Sequence, residues 1–70
     1  MILLTNVNGE GIYINPEIIE TIEGHTNAII TLTTKKKIVV KEKPDKVKEL
    51  FIEYKKNIFS NIFSNIFSNS

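Results

Sequence analysis

The side chains of this 70-residue sequence that could support chemistry are few and lie far apart along the chain. The single histidine, His25, follows Gly24 in a predicted turn. One imidazole supplies neither the ligand set of a zinc site nor the positioned partners that histidine catalysis requires. Glu20 and Glu23 suggest a carboxylate pair, but residues three apart in a strand project to opposite faces. We therefore expect an exposed histidine and solvated carboxylates, with no catalytic residue, metal site or cofactor.

Two further patterns could bind phosphate groups. The segment Gly9-Glu10-Gly11 lacks the spacing and the following helix of a phosphate-binding loop, and we interpret it as part of a hairpin turn. A cationic cluster could contact RNA or an acidic protein surface; its members are Lys35, Lys36, Lys37, Lys41 and Lys43. The net charge is only +1 and the chain has no arginine, so it lacks the bidentate donors typical of nucleic-acid recognition. We expect solvated lysines and no nucleic-acid partner.

Length and composition describe a single small domain. Hydrophobic residues make up 41% of the chain and cysteine is absent, which excludes disulfides and thiolate metal sites and favours the cytoplasm. No apolar run approaches the roughly 18–20 residues of a membrane-spanning helix, so we expect no span.

Residues 1–41 have the alternation and β-branched content of short strands separated by turns. The predicted strands cover residues 1–6, 11–15, 18 or 19 to 23, 28–33 and 37–41. Five residues have the backbone properties that turns require, and we assign them a structural rather than a binding role: Asn8, Gly9, Asn15, Pro16 and Gly24.

From residue 44 the hydrophobic period changes to that of a helix. Pro44 suits a first helical turn, and Asp45 places negative charge at the positive end of the helix dipole. Apolar residues then recur at helical spacing: Val47, Leu50, Phe51, Tyr54 and Ile58. We predict a mainly β α+β fold, in which a small curled antiparallel sheet of four or five strands is followed by one C-terminal amphipathic helix, within a domain of residues 1–58. The expected core comprises these helical residues with Ile2, Leu4, Ile12, Ile14, Ile22, Ile30, Leu32, Ile38 and Val40.

Residues 57–70 form a tail that contains three consecutive copies of Asn-Ile-Phe-Ser. Each copy advances about 400° around a helix, which turns its apolar pair away from the face that docks on the sheet. The tail is either a helix extension or disordered. If ordered, it leaves apolar surface for self-association, a partner groove or peripheral membrane contact, and otherwise it has no function. The candidate contact residues of the tail are Ile62, Phe63, Ile66 and Phe67.

The second face of the predicted sheet is also apolar. Alternation places Leu3, Ile29 and Val39 on the side that the helix does not cover. An exposed apolar face of this kind favours a binding surface, and we expect a homo-oligomer that buries these three residues.

An ordered series of short motifs resembles the FlbD family of small bacterial flagellar proteins, called SwrD in swarming bacteria. The motifs are Met1-Ile2-x-Leu4-Thr5, Asn8-Gly9, Asn15-Pro16, Ile19-Glu20-x-Ile22-Glu23, Ile30-Thr31-Leu32 and Lys37-x-Val39-Val40-Lys41-Glu42. The resemblance implies a cytoplasmic accessory of flagellar motility, associated with motor power or swarming, without known enzymatic activity and with motor components as protein partners at the flagellar base. Two positions depart from the family pattern: a Pro-Asp type turn is usual where Gly24 to Asn27 stand, and a glycine is usual where Lys35 stands.

Two alternatives from other classes remain open. The opening residues 1–9 and the strand plan also look like the carbon-storage regulator family of RNA-binding dimers, although that family uses an arginine near its last strand for RNA contact. The other alternative is an oligomeric β module without a flagellar role.

Overall fold

Five short strands and one long helix follow one another along the chain. The computed structural model describes the backbone of residues 1–68 and the side chains of residues 1–60. The strands are β1 (Ile2–Thr5), β2 (Gly11–Ile14), β3 (Ile19–Glu23), β4 (Ala28–Leu32) and β5 (Lys37–Val40). A 3₁₀ turn, Pro16–Ile18, joins β2 to β3, and the helix α1 covers Pro44–Ser68. The predicted α+β class, mainly β, is confirmed.

The strands are divided between two antiparallel sheets rather than lying in one. β1 and β2 form a two-stranded N-terminal hairpin, and β3, β4 and β5 form a three-stranded sheet in that order. The hairpin register pairs Ile2 with Ile14 and Leu4 with Ile12. One face of each sheet is buried against α1 and the other sheet, since side chains alternate between the two faces of every strand.

The core draws on both sheets and on the first turns of α1. The buried apolar residues are Ile2, Leu4, Ile14, Ala28, Ile30, Leu32, Val40 and Val47. Half-buried residues packed against them are Ile12, Ile19, Ile22, Ile38, Leu50 and Tyr54. Two other residues expected in the core, Phe51 and Ile58, are also half-buried but are not among those packed against it. The small Ala28 is fully buried, because it lies in the central strand β4, where little space remains between neighbours.

A bulge in β3 explains an apolar spacing that simple alternation does not accommodate. Ile19 pairs with Leu32 but Thr21 pairs with Thr31, so Glu20 is an extra residue in the ladder. The bulge lets Ile19 and Ile22, three residues apart, both pack against the core. Strict alternation, by which Glu20 and Glu23 were expected on opposite faces of the strand, therefore does not hold in β3.

A short seam joins the two sheets, formed by Thr5 and Asn6 with Val40, Lys41 and Glu42. Asn6 and Val40 form an isolated antiparallel bridge, and the Lys41 N–H donates to the Thr5 carbonyl at 2.8 Å. The Thr5 N–H donates to the Glu42 carboxylate at 2.8 Å. A side-chain oxygen thus replaces the backbone carbonyl that a regular ladder would supply. Through the seam β1 lies beside β5, which gives the order β2-β1-β5-β4-β3 across two sheets in place of the single curled sheet expected from the sequence.

The electrostatics of the seam follow from its hydrogen bonds. Partial burial raises the pKa of Glu42, but hydrogen bonds from the Thr5 N–H and the Thr5 side chain lower it by more, with a contribution from the Glu42 backbone. The net pKa lies below the ordinary value of 4.5. The charged carboxylate therefore stabilises the folded state.

We expect Glu42→Ala to lower the free energy of unfolding at pH 7 by about 1–2 kcal/mol, because the half-buried Thr5 N–H loses its acceptor. The stabilisation is complete above the ordinary pKa of 4.5 and is lost as the pH falls through 4.5 and then through the lower folded value. The urea midpoints of the natural protein and the variant should therefore converge as the pH falls below 4.5.

Glu10→Ala is the matched control, since Glu10 is exposed. Its effect should stay within about 0.5 kcal/mol at both pH values. A Glu42→Ala variant as stable as this control at pH 7 would contradict the role of the seam.

Both hairpins of the fold turn in the same way. In the first, Gly9 N–H donates to the Asn6 carbonyl and Asn6 N–H donates to the Glu10 carbonyl. In the second, Lys35 N–H donates to the Leu32 carbonyl and Leu32 N–H to the Lys36 carbonyl. Each is a three-residue loop whose last residue has positive φ, the type I turn with a G1 bulge.

The residues that carry these turns differ in part from the expected ones. Gly9 has φ +89°, whereas Asn8 does not adopt positive φ. The Asn6 side chain stabilises the first turn instead, because its Oδ1 accepts the N–H groups of Asn8 and Glu10 at 2.9 and 3.1 Å. In the second turn Lys35 occupies the left-handed position at φ 73°, the one residue other than glycine to do so among residues 1–68.

We expect Lys35→Gly to raise the free energy of unfolding by about 0.5–1 kcal/mol, because glycine adopts positive φ without the steric cost of Cβ. The variant loses the exposed ion pair between Lys35 Nζ and Glu20 Oε1 at 2.9 Å. Exposed pairs contribute about 0.2–1 kcal/mol, so part of the gain is offset. The net change in stability is measured as the shift in the urea midpoint, provided that the slope of unfolding free energy against urea concentration is unchanged.

Two control variants separate strain from charge. Lys35→Ala removes the ion pair and keeps the strain, so it should not stabilise the protein. Gly9→Ala introduces the same strain into the first hairpin and should destabilise by about 1 kcal/mol. Stabilisation by both Lys35→Ala and Lys35→Gly would assign the effect to charge instead.

Candidate interaction surfaces

The outer face of the N-terminal hairpin carries two exposed apolar side chains. Leu3 and Tyr13 stand opposite each other in the β1/β2 register. Leu3 is 53% exposed and Tyr13 is 70% exposed. They lie outside because Ile2, Leu4 and Ile14 occupy the inward positions of the same strands. Alternation in β1 predicted Leu3 here, and the antiparallel pairing adds Tyr13, which sequence reasoning missed.

The outer face of the three-stranded sheet carries a second apolar patch. Ile29 and Val39 are cross-strand partners in β4 and β5; Val39 is 41% exposed and Ile29 is half-buried. Val7, just beyond the bridge from Asn6 to Val40, is 54% exposed. The structure thus brings Ile29 and Val39 together, whereas Leu3 lies in the other sheet beside Tyr13.

A third apolar surface lies on α1. An open groove of about 480 Å³ is lined by Phe51, Ile52, Lys55, Lys56, Phe59 and Ser60, and we call it the helix groove. Val47, Leu50 and Tyr54 pack against the core from the same helix. Ile52 is 48% exposed and Phe59 is 68% exposed. Of the residues lining the groove, Phe51 alone was expected in the core.

One lysine of the helix groove links α1 to the 3₁₀ turn. Lys55 Nζ lies 2.6 Å from a carboxylate oxygen of Glu17 and 5.5 Å from the centroid of the Phe51 ring. Both groups of the ion pair are roughly half exposed, so the pair orients the two elements more than it stabilises them. The Phe51 ring offers the same ammonium group a cation–π contact.

The tail residues predicted for partner binding are Ile62, Phe63, Ile66 and Phe67. Their side chains lie outside the described residues, although the helical backbone of α1 runs through their positions to Ser68. Their predicted role stays a prediction.

The predicted turn residues all occupy turns or caps. The Asn15 Oδ1 accepts the Glu17 N–H at 3.0 Å and caps the 3₁₀ turn, whose first residue is the buried Pro16. Gly24 has φ +108°, and a Cβ there would approach the Asn27 carbonyl oxygen to 2.3 Å. Asn8 and Gly9 lie in the first hairpin turn. These roles are accounted for by backbone geometry.

The charged and titratable groups are dispersed over the surface. His25 is exposed, and Glu20 pairs with Lys35 rather than with Glu23. Across residues 1–60, His, Asp and Glu side chains nowhere gather in a group of three that could hold a metal ion. Among the described residues, no helix combines the length and the apolar character that crossing a membrane requires.

Comparison with known proteins identifies one family. A family model described as FlbD, flagellar and swarming motility proteins, matches residues 1–59. Neither the curated proteins nor the solved structures contain a match. The matched range covers both sheets, the seam and the first turns of α1, and it ends just inside the repeat.

We expect Ile52→Ala to change the free energy of unfolding by less than about 0.5 kcal/mol, because Ile52 lies in the open helix groove. Val47→Ala, on the buried face of the same helix, should cost about 2 kcal/mol through lost burial and a cavity. Urea unfolding of both variants checks the assignment. Equal losses at the two positions would show that the helix groove is part of the core.

Proposed function

The chain belongs to the FlbD family of flagellar and swarming motility proteins, and we propose that it serves motility as a non-enzymatic accessory that binds a protein component of the flagellar motor. The family assignment establishes the motility role. The binding mechanism is supported chiefly by apolar side chains on the outer faces of the two sheets, namely the exposed Leu3, Tyr13 and Val39 with the half-buried Ile29.

These exposed patches suit protein recognition. Each pairs side chains from neighbouring strands, so its shape is set by backbone hydrogen bonds and not by loops. Preorganised apolar surface is favourable for binding because little conformational entropy is lost when a partner covers it. Lysines border the second patch at Lys37 and Lys41, on either side of Val39, and they favour a partner surface with acidic groups at its rim.

In this proposal the protein acts in the cytoplasm, at the flagellar base, and forms a homo-oligomer. A homo-oligomer is supported by the small core: among residues 1–60, eight apolar residues are buried and eight large apolar residues are exposed. Association that covers part of this surface would add to a limited burial on folding. Peripheral membrane contact of α1 is a further route to the flagellar base, and the lysines of the helix groove would favour an anionic surface.

A crosslinked pull-down of the full-length tagged protein from motile cells tests the proposal, with co-purified protein and RNA both measured. We expect flagellar motor proteins to be enriched without RNA. The double variant Leu3→Glu/Val39→Glu should lose this enrichment and reduce swarming, because it places a carboxylate in each exposed apolar patch. A second variant, Phe63→Ser/Phe67→Ser, tests whether the repeat contributes.

The double variant Thr26→Glu/Asn27→Glu is the matched control, since it adds the same two negative charges at exposed positions of the Gly24 to Asn27 turn. It should retain both partner enrichment and swarming. Urea unfolding of every variant separates lost binding from lost folding. Strong RNA enrichment without any motor protein would overturn the proposal in favour of an RNA-binding regulator, and unchanged enrichment by a folded Leu3→Glu/Val39→Glu variant would exclude these patches.

A further inference from the structure

The backbone of β2 has an open side. In an antiparallel pair, hydrogen-bonded and non-hydrogen-bonded residue pairs alternate. The bond from Asn6 N–H to the Glu10 carbonyl makes that pair a hydrogen-bonded one. The next pair, Thr5 with Gly11, is therefore non-hydrogen-bonded, as the use of Thr5 N–H and C=O in the seam requires. Leu3 with Tyr13 is the next non-hydrogen-bonded pair along the hairpin.

It follows that Gly11 and Tyr13 direct their N–H and C=O groups away from β1. Among the described residues, no strand pairs with β2 on that side. Both residues are exposed. The edge thus presents four unpaired ladder groups, one N–H and one C=O from each of the two residues.

We propose that this edge pairs with β2 of a second copy of the chain, in an antiparallel arrangement about a two-fold axis at Ile12. This inference rests on the proposed function, of which it specifies the homo-oligomeric part. In this register Gly11 of each copy stands opposite Tyr13 of the other, and each such pair exchanges two hydrogen bonds. All four outward groups of each copy are satisfied, and a two-fold axis closes the assembly as a dimer.

The side chains of the edge complement one another in the same register. Gly11 has no side chain to cover its backbone. In the dimer, Tyr13 of the other copy, which is 70% exposed in the single chain, places its ring opposite this glycine. An aromatic side chain across from an edge glycine covers its backbone and stabilises the pairing. Leu3 Cδ1 lies 3.2 Å from the position of a Gly11 Cβ, so the incoming ring would contact an apolar group already in place.

Charge distinguishes this edge from the other free edge of the fold. β3 carries Glu20 and Glu23, together with a bulge at Glu20 that disrupts the ladder. Carboxylates and bulges both protect edge strands against pairing, and two copies of β3 would bring like charges together. β2 has the sequence Gly-Ile-Tyr-Ile, without charge, proline or bulge. Pairing with a second copy is therefore favoured at β2 and disfavoured at β3.

The expected dimer is weak. Pairing of two four-residue strands buries less than the roughly 800 Å² per partner of a standard stable interface. We expect a dissociation constant of about 0.1 mM, which corresponds to a binding free energy of roughly 5 kcal/mol. The contact therefore depends on protein concentration.

Sedimentation equilibrium of the full chain at about 10 µM to 1 mM tests the dimer over concentrations below and above the expected dissociation constant. The average mass should rise from 8.0 kDa toward twice that value. Tyr13→Lys should weaken association at least about tenfold, because two diagonal ammonium groups replace the two rings. Thr21→Lys is the matched control: it adds the same charge at an exposed position of β3 and should leave association unchanged.

Amide hydrogen exchange identifies the edge independently of any substitution. Exchange at Gly11 and Tyr13 should slow with rising protein concentration, whereas exchange in β3 should not. A chain that stays monomeric throughout the range would overturn both the edge and the homo-oligomer. Association that survives Tyr13→Lys, without protection at Gly11 and Tyr13, would overturn the edge alone and leave the homo-oligomer of the proposed function standing.

Discussion

The fold depends on a seam of three contacts between Thr5–Asn6 and Val40–Glu42. Without it only core packing would hold the N-terminal hairpin to the three-stranded sheet, and a two-stranded hairpin alone is marginal in water. The Glu42 carboxylate is central because it accepts the Thr5 N–H between the end of β5 at Val40 and the start of α1 at Pro44. With the seam formed, Leu4 and Val40 from different sheets are both fully buried in one core.

The seam also determines which apolar residues remain outside. Once Leu4 and Val40 face inward, alternation directs Leu3 and Val39 to the opposite faces, where α1 does not reach them. The helix covers one side of a small sheet, and its own outer side carries the helix groove. A small domain of this kind has more apolar surface than it can bury by itself. This exposed apolar surface is the observation on which the proposed binding of a protein partner rests.

The two hairpins show how one turn geometry tolerates different residues. Gly9 adopts positive φ at no steric cost, whereas Lys35 adopts it against the preference of an L-residue. The ladder between β4 and β5 flanks this turn, and the bonds from Lys35 N–H to the Leu32 carbonyl and from Leu32 N–H to the Lys36 carbonyl hold its geometry. The ion pair with Glu20 lies over the same turn. Local strain is thus retained where two strands are already held in register.

The sequence by itself determined the elements of this protein, because alternation, turn residues and helical spacing are local properties. Strand positions, the start of α1 and the outward placement of Leu3 and Val39 follow from residues 1–58 read in order. The division into two sheets, the bulge at Glu20 and the pairing of Leu3 with Tyr13 were decided by the tertiary structure. Each depends on which strand lies beside which, and that choice is made by contacts between residues far apart in the chain, such as Thr5 and Glu42. A single sequence carries no local signal for such contacts, since the burial that favours them exists only after the strands have assembled.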